Sequence, residues 1–253
     1  MFPAHVAKPL PSRVIDLSAV AELRGIARLP DRIRIGGATR WSEIVAADLP
    51  PAFDCLKAAA REVGSVQIQN RGTIAGNLCN ASPAADGVPP LLALDAEVEL
   101  TSVAGMRHLP LASFIAGYRA TALKPGEILS AIVVPTETGQ VGSAFVKLGS
   151  RRYMIISIVM AAAVLPRDAQ GCIFGARIAV GAASAVAQRL PELEHALQGL
   201  PPGERPSQHV NAGHLRHLSP IDDVRATAAY RRDAAMTVVG EALDRAAGFT
   251  GHD

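Results

Sequence analysis

The segment Gln67-Ile-Gln-Asn-Arg-Gly-Thr-Ile-Ala-Gly-Asn-Leu-Cys-Asn-Ala-Ser-Pro-Ala-Ala-Asp86 carries the most specific pattern of this chain. It combines two glycines, five amide side chains, two hydroxyls and one carboxylate. Glycine lets backbone N–H groups approach a ligand closely, and amides and hydroxyls are neutral donors to phosphate. The segment has neither the Gly-x-Gly-x-x-Gly dinucleotide pattern nor a P-loop lysine. It therefore predicts a loop that binds a phosphate-bearing cofactor through another arrangement of donors.

Length and composition indicate a globular protein large enough for two domains. The chain has 253 residues, of which 49% are hydrophobic, and this content supplies a sizeable core. The formal net charge is +2, from 25 basic and 23 acidic residues that are spread along the chain. Because no run of lysine or arginine forms a phosphate-tracking stripe, we do not expect nucleic acid as a partner.

The cysteines and the apolar segments bear on metal sites and on location. Cys55, Cys79 and Cys172 lie far apart, so we expect neither a disulfide framework nor a zinc or iron–sulfur site. The longest mainly apolar run, Met154–Leu165, is well short of the roughly 20 residues that span a bilayer. The N-terminus lacks the basic and apolar regions of a signal peptide. These features predict a cytoplasmic protein without a membrane span.

The pattern of the chain changes near Pro135–Gly142, which predicts two α+β domains. Short β-branched runs between breakers predict strands, and apolar spacings of three and four predict helices. The first zone has predicted strands at Val14–Leu17 and Arg32–Gly37 and predicted helices at Ser42–Ala47 and Pro51–Val63. The second has predicted strands at Gly142–Leu148, Ile155–Leu165 and Cys172–Val180 and predicted helices at Pro191–Leu197 and Pro220–Ala247. We interpret the segment with His209, His214 and His217 as a solvated loop rather than a metal cluster.

The segment from Gln67 to Asp86, continued by Leu91–Leu100, strongly resembles the FAD-binding medium subunit of molybdenum-containing hydroxylases, the xanthine dehydrogenase and carbon monoxide dehydrogenase family. The resemblance covers nearly the whole chain. Further segments resemble the family in the same order, namely Val14–Leu17, Glu22–Ile26, Ile35–Thr39, Gly126–Leu129, Phe145–Lys147, Arg151–Arg152, Val180–Ala182, Asp223–Arg225 and Ala229–Arg231.

The resemblance implies an α+β fold in two parts. The first, residues 1–137, would be an FAD-binding domain of the PCMH type, like that of vanillyl-alcohol oxidase. The second, residues 138–253, would be a domain like the C-terminal domain of the carbon monoxide dehydrogenase flavoprotein, with an antiparallel sheet and helices. The resemblance also implies FAD as the cofactor of this chain.

The family's cofactor-binding positions map onto eight residues. Thr73, Ile74, Ala75, Gly76 and Asn77 match the turn around the FAD pyrophosphate. Asp86 matches a carboxylate that binds the cofactor, and Leu129 and Lys147 match positions near the isoalloxazine ring. Considered alone, Asp86 is also compatible with a turn or helix cap, Leu129 with a core residue and Lys147 with a surface charge. No catalytic residue or metal ligand is implied.

Three departures from the family pattern stand out. Ala75 replaces a frequent glycine, so a Cβ lies where backbone would approach the pyrophosphate or adopt positive φ. Gln69 replaces a frequent arginine. A first pyrophosphate loop like Ala-Gly-Gly-Thr-Asp would precede the position of Pro3, and Gly36–Thr39 matches a separate strand-to-helix position instead. The fold is therefore expected to be N-terminally truncated. Of a late start codon, a truncated gene and weak flavin binding, we favour the first.

The resemblance implies a division of labour among three subunits. A large partner subunit with a molybdenum cofactor would hydroxylate a heterocycle or aldehyde, and a small one with 2Fe–2S clusters would relay electrons. FAD on this chain would pass them to an external acceptor such as NAD or a quinone, since flavin performs electron and hydride transfer. Two alternatives stay open at this point, a stand-alone flavin oxidase and a non-catalytic scaffold subunit that has lost flavin.

Overall fold

Two larger antiparallel sheets, one two-stranded sheet and the helices packed on them make up the part of the chain that the structure describes. A computed structural model describes residues 14–151 and 155–249. The first part contains β1 (Ile26–Arg28), β2 (Arg32–Gly36), α1 (Trp41–Ala46), α2 (Asp54–Glu62), α3 (Val66–Gln69), α4 (Ile74–Asn80), α5 (Val88–Ala93), β3 (Glu97–Ser102), β4 (Gly105–Pro110), α6 (Leu111–Phe114), β5 (Ile115–Gly117), β6 (Ala120–Thr121) and β7 (Ile128–Pro135). The second contains β8 (Gln140–Leu148), β9 (Val159–Arg167), β10 (Arg177–Gly181), β11 (Gln188–Arg189), α7 (Pro191–Ala196) and α8 (Ala228–Ala246).

The first sheet has the strand order β1-β2-β7-β3-β4, and all neighbouring strands are antiparallel. In β2, Ile33 and Ile35 are buried, whereas Arg34 between them is only half-buried. This alternation matches the two-residue period of side chains along a β-strand. Ile132 of the central strand β7 lies opposite Ile35 on one side and Val98 on the other. These residues belong to the apolar face of the sheet, which packs against α1, α2, α4 and α5.

The second sheet has the order β11-β10-β9-β8 and is covered on both faces. Every residue of β9 from Val159 to Pro166 is buried, as a central strand between two apolar layers requires. Met160 and Ala162 join the core that includes the first sheet, whereas Val159 and Ala161 join a second core with α8. One hydrophobic core therefore continues from the first sheet to one face of the second.

Most predicted elements are present, with shifted ends. The predicted helix Ser42–Ala47 begins at Trp41, and Pro51–Val63 divides into a 3-10 turn at Pro51–Phe53 followed by α2. The predicted strands Ile155–Leu165 and Cys172–Val180 each begin later, as β9 and β10. The three histidines lie in or beside the short 3-10 turns Pro206–His209 and Ala212–Leu215.

Two predictions about local structure were wrong. Val14–Leu17 is not a strand, because no described strand pairs with it and the side chains of Val14 and Ile15 are exposed. The last helix begins at Ala228 rather than near Pro220, because Thr227 caps it by accepting a bond from Tyr230 N. Asp223 is thus not at the helix N-terminus.

No helix within residues 14–151 and 155–249 is long and apolar enough to span a bilayer.

Candidate functional site

The Thr73–Asn77 segment forms the first turn of α4. Thr73 is its N-cap, and the Thr73 hydroxyl oxygen accepts a hydrogen bond from Gly76 N at 3.1 Å. Ile74 and Leu78, four residues apart, are buried and hold the helix against the core. A threonine cap followed by this spacing explains why the predicted loop becomes a helix at Ile74.

The backbone N–H groups of Ile74 to Asn77 all have partners within the protein, which was not expected for a phosphate loop. The four bonds run from Ile74 N to Thr39 O (3.0 Å), Ala75 N to Gly37 O (3.0 Å), Gly76 N to Thr73 Oγ1 (3.1 Å) and Asn77 N to Thr73 O (3.1 Å). The turn therefore offers a ligand the hydroxyl hydrogen of Thr73 and the side-chain amide of Asn77. Ala75 has no positive φ, so its replacement of glycine introduces no backbone strain.

Leu129 and Ala75 meet at Gly37, in the turn between β2 and α1. A Cβ on Gly37 would lie 3.1 Å from Ala75 Cβ and would overlap Leu129 O. Gly37 N also donates to Ser130 O at 2.7 Å. The Leu129 side chain is buried in the core. The close approach explains why glycine stands at position 37, and it brings two predicted site residues together.

Asn77 has a buried oxygen without a hydrogen-bond partner among the described residues. A Cβ on Gly87 would lie 3.0 Å from Asn77 Oδ1 and 2.5 Å from the ring of Trp41. Glycine at position 87 thus leaves room for both side chains. A buried acceptor without a partner is rare in folded proteins because it costs free energy. It is the kind of group that a bound donor would satisfy.

The turn that leads to Asp86 is fixed by backbone contacts to distant loops. Ala81 ends α4 in the left-handed region (φ 44°), and its carbonyl accepts from Arg119 N at 3.0 Å. The carbonyl of Pro83 accepts from Ala182 N at 3.0 Å. Left-handed φ for a non-glycine residue costs free energy and needs support from its surroundings. These bonds hold the position of the carboxylate that follows.

Asp86 and Lys147 form a buried ion pair. Lys147 Nζ lies 2.7 Å from Asp86 Oδ2, and Ser157 Oγ donates to Asp86 Oδ1 at 2.7 Å. Lys147 Nζ also donates to Glu62 O at 3.2 Å. Burial raises the pKa of Asp86 above its ordinary value, while Lys147 and Ser157 oppose that shift. Lys147 is therefore not a surface charge, and Asp86 does more than shape a turn.

A cleft of about 650 Å³ opens beside Lys147 between α2, the end of β8 and α8. Its walls carry the basic residues Arg61, Lys147, Arg151 and Arg245 and the acidic residues Glu62 and Glu241. Such a concave, partly polar space is typical of ligand sites. The site residues thus lie next to one another. Asn77 of α4 lies beside Gly87, which follows Asp86 in the chain, and Asp86 pairs with Lys147 at the cleft.

Three residues at the site were missed by the sequence analysis. Gly37 was noted but assigned only to a strand-to-helix turn, whereas Trp41 and Ser157 were not singled out. Trp41 is the only tryptophan of the chain, and that was the signal available for it in the sequence. In the structure it is almost completely buried beside Gly87. A lone serine in an apolar run gave no comparable signal for Ser157.

Two family models match the chain. The model of the FAD binding domain in molybdopterin dehydrogenase matches residues 4–137. The model of the CO dehydrogenase flavoprotein C-terminal domain matches residues 144–246. The chain belongs to the FAD-binding medium subunits of the molybdenum hydroxylase family. This assignment confirms the predicted α+β fold of an FAD-binding domain followed by a C-terminal domain.

This chain aligns with relatives in the family over most of their length. The xanthine dehydrogenase FAD-binding subunit of Escherichia coli O157:H7 is 30% identical over 241 residues, covering 94% of this chain and 82% of that protein. The 6-hydroxypseudooxynicotine dehydrogenase complex subunit alpha of Paenarthrobacter nicotinovorans is 31% identical over 237 residues, covering 93% and 80%. A crystal structure of the Cu,Mo-CO dehydrogenase superposes with a TM-score of 0.85 and 26% identity, over 92% of this chain and 81% of that one.

The residues present fit the FAD that this family binds. The Asn77 oxygen has no partner among the described residues and can accept a hydrogen bond, Thr73 has a hydroxyl hydrogen to donate, and the cleft beside Lys147 has room for a ligand. The family match supports no specific ligand contact, so the roles of the eight predicted residues stay predictions.

Proposed function

We propose that this medium subunit binds FAD between the first turn of α4 and the cleft beside Lys147, and that it passes electrons through the flavin. The electrons would come from 2Fe–2S clusters on a small partner subunit and leave to an external acceptor, NAD or a quinone. A large partner subunit would hold the molybdenum cofactor. The match of both family models along one chain carries this proposal.

The proposed roles follow from what each side chain still offers. Thr73 donates its hydroxyl hydrogen, and Asn77 Oδ1 accepts from a hydroxyl or amine group of the cofactor. Ile74, Ala75 and Gly76 shape that turn. When bound, FAD supplies the electron and hydride chemistry that side chains lack.

Leu129, Asp86 and Lys147 serve the other end of the site in this proposal. Leu129 packs, Lys147 presents an ammonium at the cleft, and Asp86 balances that charge. No residue of this chain is assigned as acid, base or nucleophile. The proposed boundary between the two domains lies at residues 137 and 138, and the predicted location remains the cytoplasm.

We place the choice of substrate on the large partner subunit. Relatives whose names refer to xanthine, nicotinate, caffeine and carbon monoxide are 27–33% identical in sequence to this chain. Chains of such similar sequence serve complexes with unrelated substrates, which is expected if substrate contacts lie elsewhere.

Purification after co-expression with the two partner subunits tests the proposal. We expect the complex to show the visible absorption band of bound flavin, and the band to bleach when the substrate of the complex is added without acceptor. A complex without this band would support the scaffold alternative. Bleaching of flavin on the isolated chain by the same substrate would support the stand-alone oxidase.

A further inference from the structure

Ser157 is a buried serine whose hydroxyl faces the ion pair. Its exposed fraction is 1%, and it lies in the short segment before β9. We propose that Ser157 is a positioning residue of the flavin site, whose hydroxyl fixes the Asp86 carboxylate and, through it, the Lys147 ammonium at the cleft. This inference rests on the proposed function.

The geometry assigns each oxygen of the carboxylate its own donor. Ser157 Oγ bonds Asp86 Oδ1 and Lys147 Nζ bonds Asp86 Oδ2, both at 2.7 Å. Two donors on separate oxygens fix the rotation of the carboxylate plane. With only one donor, the carboxylate would turn about its Cβ–Cγ bond, and the ammonium would follow it.

Among residues 14–151 and 155–249, Lys147 keeps one hydrogen for a ligand in this arrangement. An ammonium has three donor hydrogens, and the described residues supply two acceptors, Asp86 Oδ2 and Glu62 O. The side chain is 6% exposed and lines the cleft. The third hydrogen is therefore available only at a position that the Asp86 carboxylate sets.

Loss of the Ser157 hydroxyl would also disturb the charge balance of the site. Burial already raises the pKa of Asp86, and the carboxylate of Glu62 adds to that shift. Ser157 opposes it by bonding to the charged form. Without the hydroxyl, the protonated form of Asp86 gains population, and Lys147 is then left without its counter-charge.

A second buried serine supplies a matched control. Ser184 Oγ donates to Ala183 O and accepts from Ser219 N, so its partners are neutral backbone groups. Hydrogen bonds to charged groups are the stronger class. Ser184→Ala therefore removes a buried hydroxyl without touching the ion pair.

The experiment measures FAD affinity and the visible flavin spectrum of the assembled complex after removal and re-addition of FAD. We expect Ser157→Ala to weaken FAD binding by about tenfold or more and to shift the visible band. Ser157→Thr keeps the hydroxyl and should restore wild-type affinity within about twofold. Ser184→Ala should leave both the affinity and the spectrum unchanged.

The outcomes separate this inference from the function on which it rests. A wild-type complex that takes up no FAD overturns the proposed function. A wild-type complex that binds FAD, with a Ser157→Ala variant of equal affinity and spectrum, overturns the positioning role even if that variant melts earlier. If the alanine variant does not fold, Ser157→Gly also removes the donor without adding volume, and wild-type affinity and spectrum in that variant would overturn the positioning role in the same way.

Discussion

Lys147 Nζ of β8 lies 2.7 Å from Asp86 Oδ2, in a buried ion pair between residues 61 positions apart. Asp86 belongs to the range matched by the FAD binding domain model, and Lys147 to the range matched by the C-terminal model. One polar contact therefore joins the two matched regions at the candidate site. Because the pair is buried, a single substitution that removes either side chain changes stability and function together.

We expect Asp86→Ala to lower the free energy of unfolding by about 3–5 kcal/mol, because it leaves a buried ammonium unpaired. Adding Lys147→Met should recover most of that loss, since removal of both charges avoids an unpaired one. Urea unfolding of the flavin-free chain measures both. Asp48→Ala is the control, because that side chain is fully exposed beside Arg28 and should change the free energy by less than about 1 kcal/mol. An Asp86→Ala variant as stable as this control would contradict the prediction.

Asn77→Leu should separate binding from stability. The substitution removes a buried oxygen that has no partner in the described part of the chain, so the flavin-free chain should be as stable as the wild type or up to about 1 kcal/mol more stable. FAD affinity of the complex should fall, because the acceptor is lost. Thermal unfolding measures the stability of the flavin-free chain, and FAD titration measures the affinity of the complex. Gln198→Ala, at an exposed amide side chain just after α7, should leave FAD affinity unchanged. A destabilised Asn77→Leu chain with normal FAD affinity would refute the assignment.

Gly87→Ala should disturb the only tryptophan of the chain. The added Cβ would lie 2.5 Å from the Trp41 ring, so the ring must move, and overpacking of this kind costs about 1–3 kcal/mol. We expect a lower unfolding free energy and a shift in tryptophan fluorescence. At Gly175 the nearest atom to an added Cβ is 3.9 Å away, so Gly175→Ala should leave the emission unchanged. Identical emission spectra of the two variants would show that the Trp41 ring tolerates the contact.

Local patterns predicted elements well, whereas contacts across the chain were not predictable from them. The strand at Gly142–Leu148 and the helix at Pro191–Leu197 follow from short-range spacing and are present within a few residues. Asp86 and Lys147 were both predicted as site residues, but their pairing depends on how β8 docks beside the Asp86 turn. The internal pairing of the N–H groups after Thr73 depends on Gly37 and Thr39, which lie more than 30 positions earlier.

The two wrong elements have the same cause. Val14–Leu17 has the residue types of a strand, yet no described strand lies beside it to pair with its backbone. Pro220–Ala226 has carboxylates suited to a helix start, but Asp223 Oδ1 accepts from Arg231 at 2.7 Å instead. Arg231 is itself buried and donates to Ile158 O and Ala182 O. In both segments, tertiary contacts rather than local sequence determined the structure.

The Arg107–Glu127 pair should make part of the stability depend on pH. Arg107 donates to both carboxylate oxygens of Glu127, at 2.7 and 2.9 Å, and this bond lowers the pKa of Glu127 from 4.5 to about 2. A carboxyl with a lowered pKa in the folded state stabilises the fold above its unfolded pKa. That contribution should therefore be complete above about pH 4.5 and should disappear as the pH falls toward about 2.

Unfolding free energies at several pH values between 2 and 6 check this, with Glu127→Gln as the test variant. Because glutamine does not titrate, the variant should lose less stability than the wild type on acidification through this window. Glu22→Gln, at an exposed carboxylate, should keep the wild-type slope. Parallel curves for the wild type and Glu127→Gln would mean that the ion pair persists equally in the unfolded chain or does not form, and a carboxyl NMR titration of Glu127 decides between these two outcomes.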